Sequence, residues 1–256
     1  MRTHPPDGPV VGVTSMTGPD IQPFDAAQDL RDAPRGPAGV RMRPRDAATL
    51  ILVRGGRDAP EVLMGRRASG HVFMASKWVF PGGKIDRSDF TAGWASPPTP
   101  DSLTRLATEM PVRRARALCL TAVRETWEET GLMLARSAPP VSVSGPWRGF
   151  RQAGALPDLA ALTYVARAVT PPGRTRRFDA RFFMAEASAL LTPEPTTGSG
   201  GELDEIAWLP LDQAAAQDLP AITRFVLGEV AERHRTPDRA PPYVRFRHGR
   251  HIVTRD

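Results

Sequence analysis

The chain has 256 residues with 41% hydrophobic content, which is long enough to bury a core as one domain and excludes a wholly disordered chain. No run approaches the roughly 20 consecutive apolar residues of a membrane-spanning helix, and the first residues lack an apolar signal core, so we expect an unexported, cytoplasmic protein. The single cysteine, Cys119, excludes an intrachain disulfide framework and a zinc site built on several thiolates. The net charge of +6 is carried mainly by arginine, which indicates either a polyanionic partner or a compositional bias.

Three parts are predicted along the chain. Residues 1–45 are rich in Pro, Gly and Asp without a sustained period, which predicts an irregular N-terminal arm. Residues 46–235 mix strands and helices without regular alternation, which predicts an α+β domain rather than a parallel sheet. Residues 236–256 are predicted to form a basic, extended C-terminal segment.

The first half of the domain is predicted to contain short strands followed by a loop. A buried strand is expected at 48–54, a turn at Gly55 and Gly56, and strands at 61–66 and 77–80. Residues 91–100 hold one glycine and three prolines, so we expect a loop there, within an insertion at about 90–110.

One long helix is predicted to dominate the second half. Pro111 is tolerated in a first helical turn, no breaker follows until Gly131, and Gly131 can cap the C-terminus, so the helix should span 112–130. Beyond it, the pattern predicts strands at 162–169, 181–185 and 205–209 and helices at 211–216 and 221–234.

The long helix should cluster three carboxylates. At about 100° per residue, Glu125, Glu128 and Glu129 project into one arc of roughly 100°. Like charges at these spacings repel on an exposed helix, and a divalent cation would reverse the sign of that effect, since Mg²⁺ and Mn²⁺ prefer carboxylate oxygens. The alternative is a solvated acidic patch in which Arg124 pairs with Glu128.

The residues around these carboxylates form a known pattern. Arg124, Glu125, Glu128, Glu129, Gly131 and Leu132 match the second half of the Nudix signature, and Gly82 and Gly83 after an apolar strand resemble its start. About 27 residues are inserted between the halves, Asp89 replaces the signature's first glutamate, and Thr126 replaces an apolar residue. This interrupted signature resembles the coenzyme A diphosphatase branch of peroxisomal type. The resemblance spans roughly 46–216 and includes, besides the signature, Arg66, Arg67, Val79, Phe80, Pro81, Arg177, Phe178 and Asp179.

The resemblance implies a fold and a metal site. The fold would be a Nudix α/β/α sandwich containing a mixed sheet, with the insertion inside the signature. Glu125, Glu128 and Glu129, together with a backbone carbonyl near Gly82, would bind Mg²⁺ or Mn²⁺. Glu125 would be either a further metal ligand or the base that activates water, and Arg124 would orient it.

Other candidate residues lie outside the helix. Glu202 follows a flexible run at 197–201 and is a candidate for a second acidic contribution, the alternative being a solvated loop acid. Arg66 and Arg67 are candidates to bind substrate phosphate, or they merely end a strand. Arg177 is a candidate for shaping the substrate site.

The predicted function is metal-dependent hydrolysis of the diphosphate linkage in a nucleoside diphosphate derivative. Coenzyme A or acyl-coenzyme A is the leading substrate by resemblance. The alternatives are an ADP-ribose or nucleotide-sugar diphosphatase, an RNA-cap hydrolase, or a nucleotide-sensing Nudix module without activity. The expected partner is a small-molecule nucleotide rather than a membrane or a nucleic acid, and a homodimer is left open.

Overall fold

The chain is described by a computed structural model that covers most of the predicted domain. The described residues are 42–56, 59–68, 70, 75–192, 194–195 and 202–255, with the single residues 24, 26, 29 and 36. Most of the predicted N-terminal arm and the predicted flexible run 197–201 lie outside the described residues.

Strands make up most of the regular structure. Within the described residues they are β1 Arg45–Arg54, β2 Glu61–Arg67, β3 Trp78–Val79, β4 Gly82–Lys84, β5 Ala135–Ser137, β6 Ala155–Pro157, β7 Thr163–Val169, β8 Phe178–Glu186, β9 Leu203–Pro210, β10 Pro242–Arg247 and β11 Arg250–Arg255. The α-helices are α1 Pro100–Ala107, α2 Val112–Thr130, α3 Arg148–Gln152, α4 Leu211–Ala216 and α5 Ala221–Arg235. No helix of the described part has the length and apolar character needed to cross a bilayer.

Nine of these strands form one mixed sheet. Its order is β11-β10-β7-β8-β1-β2-β3, with β4 paired to β1 and β9 paired to β2. The pairs β1–β8 and β7–β10 are parallel, and the other pairs are antiparallel. The strands predicted at 48–54, 61–66, 77–80, 162–169, 181–185 and 205–209 are confirmed, and the extended segment at the C-terminus forms β10 and β11.

Helices cover both faces of the sheet, as strand β1 shows. Successive strand side chains point to opposite faces. Leu50 and Leu52 therefore pack with α2 in one core cluster, while Ile51 and Val53 pack with α5 in the other. This arrangement confirms the predicted α+β sandwich, with α2 on one face and α5 on the other.

The long helix is confirmed at its predicted bounds. α2 starts after Pro111 and ends at Gly131, whose φ of 72° is left-handed and whose N–H donates to the carbonyl of Trp127. Helix α1 was not predicted, although Thr99 caps it by accepting a hydrogen bond from the Ser102 N–H. The signal was present in the sequence, since Thr followed by Pro is typical of a helix start.

Glu109, just after α1, anchors the insertion to the sheet. Its carboxylate accepts hydrogen bonds from the Tyr164 hydroxyl at 2.9 Å and from Arg181 Nη2 at 3.0 Å, and it lies 3.4 Å from Arg167 Nη1. Arg181 is only 2% exposed. Because a buried guanidinium is stable only when carboxylates compensate its charge, the position of the insertion is coupled to the core.

Replacing Glu109 with alanine is expected to lower the free energy of unfolding by about 3 kcal/mol, since Arg181 and Tyr164 lose a buried partner. Urea denaturation measures this change. The matched control is Asp101→Ala, which removes an exposed pair with Arg105 in the same insertion and should have little effect. An equal loss in both variants would contradict the anchoring role.

Candidate active site

The two glycines of β4 let the backbone come close to its neighbours. A Cβ at Gly82 would lie 2.6 Å from the carbonyl oxygen of Ala48, and a Cβ at Gly83 would lie 2.4 Å from the carboxyl carbon of Glu125. Either contact is shorter than real Cβ contacts allow. The absence of a side chain at Gly83 therefore lets the Glu125 carboxylate approach the strand backbone.

A buried arginine on α2 organises the carboxylates. Arg124 Nη1 donates to Glu125 at 2.9 Å and to Glu128 at 3.0 Å, while Arg124 Nη2 donates to the carbonyl of Lys84 at 3.1 Å. Burial disfavours its charge, but hydrogen bonds to Asp89 and the nearby glutamates raise the pKa of Arg124 above its usual value. Arg124 thus stays charged and fixes two glutamates relative to β4.

Asp89 holds Arg124 from the other side. Its carboxylate accepts two hydrogen bonds from Arg124, both at 2.9 Å, one from the Thr121 hydroxyl at 2.8 Å and one from the Trp147 indole at 3.0 Å. It is 1% exposed and lies in a 3-10 turn after Asp86. In the sequence, Asp89 stood out as the residue that replaces the signature's first glutamate and as part of the resemblance to the coenzyme A diphosphatase branch, but no contact with Arg124 was predicted for it.

The three glutamates do not form a solvated patch. Side-chain exposure is 15% for Glu125 and 35% for Glu128, and Glu129 is 7% exposed. The Gly82 N–H donates to Glu129 at 3.1 Å. Burial, followed by the charges of Glu125 and Glu202, raises the pKa of Glu129 well above its usual range. Burial also raises the pKa of Glu125 and of Glu128, against the opposing effect of Arg124.

The donor set fits a hard divalent cation. Among the described residues, no three His, Cys, Asp or Glu side chains already form a metal-binding cluster. The hydrogen bonds explain this, because Arg124 holds Glu125 and Glu128 while the Gly82 N–H holds Glu129. All three donors are carboxylates, and a cation would offset both the burial and the repulsion from Glu125 and Glu202 that raise the pKa of Glu129.

A cavity of about 620 Å³ opens beside these residues. Of the residues singled out from the sequence, its wall includes Arg67, Gly82, Glu125 and Glu202. Arg67 Nη2 lies 3.6 Å from a carboxylate oxygen of Glu202, so these two side chains face each other. The structure therefore brings Glu202 and Arg67 to the same cavity as the long helix.

Two other arginines singled out from the sequence lie elsewhere. Arg66 is half-exposed and pairs with Glu205 at 3.1 Å, outside the cavity wall. Arg177 donates to the carbonyls of Thr170 at 3.1 Å and Met42 at 2.6 Å. Arg177 therefore fixes the loop between β7 and β8 instead of lining the cavity.

Sequence reasoning also missed residues that line the cavity. They come from β4, from the loop before Arg177, from the last strand and from the N-terminal part of the chain, and include Lys84, Arg174, Arg176, His251 and Phe24. The arginines could have been suspected, because they lie in the same basic run as Arg177. No pattern in the sequence pointed to Phe24 or His251.

Comparisons with known proteins point to one superfamily. No family model matches the chain. The acyl-coenzyme A diphosphatase NUDT19 of Gallus gallus is 29% identical over 225 residues, covering 62% of this chain and 58% of the chicken protein, so the match spans less than two thirds of that relative. The human protein of the same name is 26% identical over 278 residues, covering 74% of each chain.

A solved structure agrees with these relatives. The crystal structure of a Nudix hydrolase from Alicyclobacillus acidocaldarius is 29% identical, covers 73% of this chain and 90% of its own, and aligns with a TM-score of 0.53. The structure is consistent with these similarities. It has the mixed sheet that the resemblance implied, and the Arg124–Asp89 hydrogen bond joins the two halves of the signature. In sequence and in fold, the chain is thus similar to Nudix hydrolases.

Proposed function

We propose that the chain hydrolyses the diphosphate linkage of a nucleoside diphosphate derivative, with coenzyme A or acyl-coenzyme A as substrate and Mg²⁺ or Mn²⁺ as cofactor. The observation that carries the proposal is the group of buried and half-buried glutamates beside Arg124, of which Glu125 lines the cavity. The names of the chicken and human relatives support the choice of substrate.

In this proposal, the carboxylates of Glu125, Glu128 and Glu129 and the backbone carbonyl of Gly82 hold the cation. When bound, the cation neutralises charge on the diphosphate oxygens and acidifies water. Glu125 is either one of the ligands or the base that accepts the proton of the attacking water. Arg124 keeps Glu125 oriented through the hydrogen bond at 2.9 Å.

Two positively charged side chains at the cavity wall, Arg67 and Lys84, are suited to bind the phosphate groups of the substrate. Arg67 Nη2 lies 3.6 Å from a carboxylate oxygen of Glu202. Glu202 either orients the Arg67 guanidinium, which can turn to a phosphate oxygen, or is itself part of the acidic site. Lys84 is exposed, directly follows Gly83 and lines the cavity. Because the guanidinium fork and the ammonium group both bind phosphate, Arg67 and Lys84 are the proposed phosphate contacts.

The proposal extends to the location of the protein in the cell and to its oligomeric state. We propose a cytoplasmic location, supported by the one cysteine, since Cys119 is free and buried in the core. Burial raises the pKa of the Cys119 thiol to about 12, so it is packed rather than nucleophilic. Size-exclusion chromatography with light scattering measures the molar mass in solution and so distinguishes a monomer from a homodimer.

The alternative functions are a diphosphatase with a different substrate and a nucleotide sensor that does not hydrolyse its ligand. An ADP-ribose or nucleotide-sugar diphosphatase would use the same carboxylates, whereas a nucleotide sensor would not need three of them. The full set of Glu125, Glu128 and Glu129 therefore favours an enzyme over a sensor.

The substrate is tested with a panel of coenzyme A, acyl-coenzyme A, ADP-ribose, nucleotide sugars, dinucleoside polyphosphates and capped RNA. Each is incubated with Mg²⁺ or Mn²⁺, with and without a chelator. We expect chelator-sensitive release of 3′,5′-ADP from coenzyme A. Turnover of another compound would keep the site and change the substrate, and tight nucleotide binding without turnover would favour the sensor.

Glu128→Gln is expected to lower kcat by roughly 100-fold or more, because it removes a charge that the cation and the transition state require. Its fold should persist, since the substitution removes charge from an acid-rich site. Steady-state kinetics with circular dichroism measures both. Glu205→Gln, which is outside the cavity, is the matched control. Wild-type turnover by Glu128→Gln would remove this residue from the site.

Asp89→Asn is expected to lower kcat by about 10- to 100-fold while KM changes less, because Arg124 loses the carboxylate that fixes its position. Asp89→Glu, which keeps the charge, should recover part of the rate. A purely structural role for Asp89 would instead lower thermal stability in both variants without separating kcat from KM.

A further inference from the structure

The cavity carries positively charged side chains at two places. The first group surrounds the place proposed for the diphosphate and consists of Arg67 and Lys84, beside Glu125 and Glu202. The second group consists of Arg174 and Arg176, in the loop between β7 and β8. The chemistry proposed around Glu125 does not use the second group, so its position at the cavity wall needs another explanation.

The register of the sheet gives the separation of the two groups. Lys84 pairs with Ala47 of β1, and Ala47 pairs with Ala180 of β8, two strands away from Lys84. Phe178, where the loop ends and β8 begins, precedes Ala180 on the same strand. Since neighbouring strands lie about 4.8 Å apart and each residue adds about 3.3 Å, the Cα atoms of Lys84 and Phe178 are roughly 12 Å apart. Long basic side chains from these two places can therefore contact phosphates on either side of one ribose.

Hydrogen bonds fix the loop that carries the two arginines. The Thr170 hydroxyl accepts a hydrogen bond from the Phe178 N–H at 3.0 Å, and the Thr170 carbonyl accepts one from Arg177 Nε at 3.1 Å. The carbonyl of Gly173 accepts one from the Gly36 N–H at 3.0 Å. The backbone is thus held on both sides of the arginines, and a ligand has fewer groups to order when it binds.

The acidic residue of the wall near α5 belongs to a different part of the cavity. A carboxylate oxygen of Asp29 accepts a hydrogen bond of 2.6 Å from the N–H of Ala221, the first residue of α5. Burial lowers the pKa of His251 on β11, and the charge of Asp29 opposes that effect. Asp29 therefore lies with α5 and β11, whereas Arg174, which is 8% exposed, and Arg176, which is exposed, belong to the loop.

The two halves of coenzyme A differ in charge. The adenosine half carries a phosphate on the ribose 3′-oxygen, and such a monoester has a charge of about −1.5 to −2 at neutral pH. The phosphopantetheine arm beyond the diphosphate has amides, a hydroxyl and a thiol but no ionised group. The hydroxyls of Thr49 and Thr223 in the wall suit either half, so the charge of Arg174 and Arg176 decides between them. A guanidinium binds phosphate oxygens through parallel hydrogen bonds, and the arm offers it no such group.

We infer that Arg174 and Arg176 bind the 3′-phosphate of coenzyme A, so that the adenosine half of the substrate, rather than the phosphopantetheine arm, lies along the loop between β7 and β8. The inference rests on the proposed function, because the diphosphate at Glu125 sets where the ribose lies. Arg174 and Arg176 are thus specificity-determining residues, and Arg177 positions them by fixing the loop.

The test compares the affinities of 3′,5′-ADP and AMP, measured by isothermal titration calorimetry with a chelator present so that no metal contributes. The wild type should bind 3′,5′-ADP about 10- to 100-fold more tightly, since only this ligand carries the 3′-phosphate. Arg176→Gln should lower that ratio by about tenfold, and Arg174→Gln should lower it as well. A loss of folded protein would affect both ligands alike and leave the ratio unchanged.

Two controls separate the site from general charge attraction. Arg235→Gln removes the same charge at the end of α5, where Arg235 pairs with Glu232 outside the cavity wall, and should leave the ratio unchanged. The isomer 2′,5′-ADP has the same charge as 3′,5′-ADP and should bind more weakly. Three results would each overturn the inference: equal affinity for 3′,5′-ADP and AMP, a ratio that Arg176→Gln does not lower, or binding of 2′,5′-ADP as tight as that of 3′,5′-ADP.

Hydrolysis of coenzyme A and of dephospho-coenzyme A, which lacks the 3′-phosphate, is measured in parallel with Mg²⁺. We expect a higher kcat/KM for coenzyme A and loss of that preference in Arg176→Gln. Turnover of both compounds at equal kcat/KM would refute the 3′-phosphate site and keep the diphosphatase. No turnover, together with an affinity ratio that depends on Arg176, would refute the diphosphatase and keep a site for nucleotides with a 3′-phosphate.

Discussion

The burial of one guanidinium constrains the whole site. Arg124 has a side-chain exposure of 5%, and such a group is stable only if carboxylates and carbonyls surround it. Asp89, Glu125 and Glu128 supply the charge, and the Lys84 carbonyl supplies a further acceptor. Satisfying Arg124 therefore draws together α2, β4 and the 3-10 turn that precedes the insertion.

The same requirement explains how an interrupted signature can still form one site. Asp89 and Arg124 are separated by the insertion in sequence, yet their side chains share two hydrogen bonds. The insertion leaves the sheet region after Asp89 and returns before α2, where Glu109 fastens it to Arg181 and Tyr164. The inserted residues thus change the surroundings of the site without separating its halves.

Local sequence signals were sufficient for the main strands of the large sheet and for the long helix α2, but they did not lead to α1, α3, β5 or β6. Gly131 predicted the end of α2, and the spacing of Glu125, Glu128 and Glu129 predicted that these side chains share one region. The cavity could not be predicted in this way. Its floor depends on the register between β4, β1, β8, β7 and β10, and a shift of one residue would turn the other face of a strand to the cavity.

The limits of prediction are clearest for individual residues. Arg66 and Arg67 are neighbours with the same chemistry, yet only Arg67 lines the cavity, because successive strand residues point to opposite faces. Phe24 meets His251 although they lie at opposite ends of the sequence. Such contacts depend on how the finished domain packs, and no local pattern encodes them.

The central claim is that the glutamates of α2 bind a divalent cation beside β4. An anomalous difference map from crystals grown with Mn²⁺ tests it most directly. We expect a peak bounded by the carboxylates of Glu125, Glu128 and Glu129 near the Gly82 backbone, with Glu125 or Glu128 turned away from Arg124. No peak at this position, with both glutamates still bonded to Arg124 at saturating Mn²⁺, would contradict the claim.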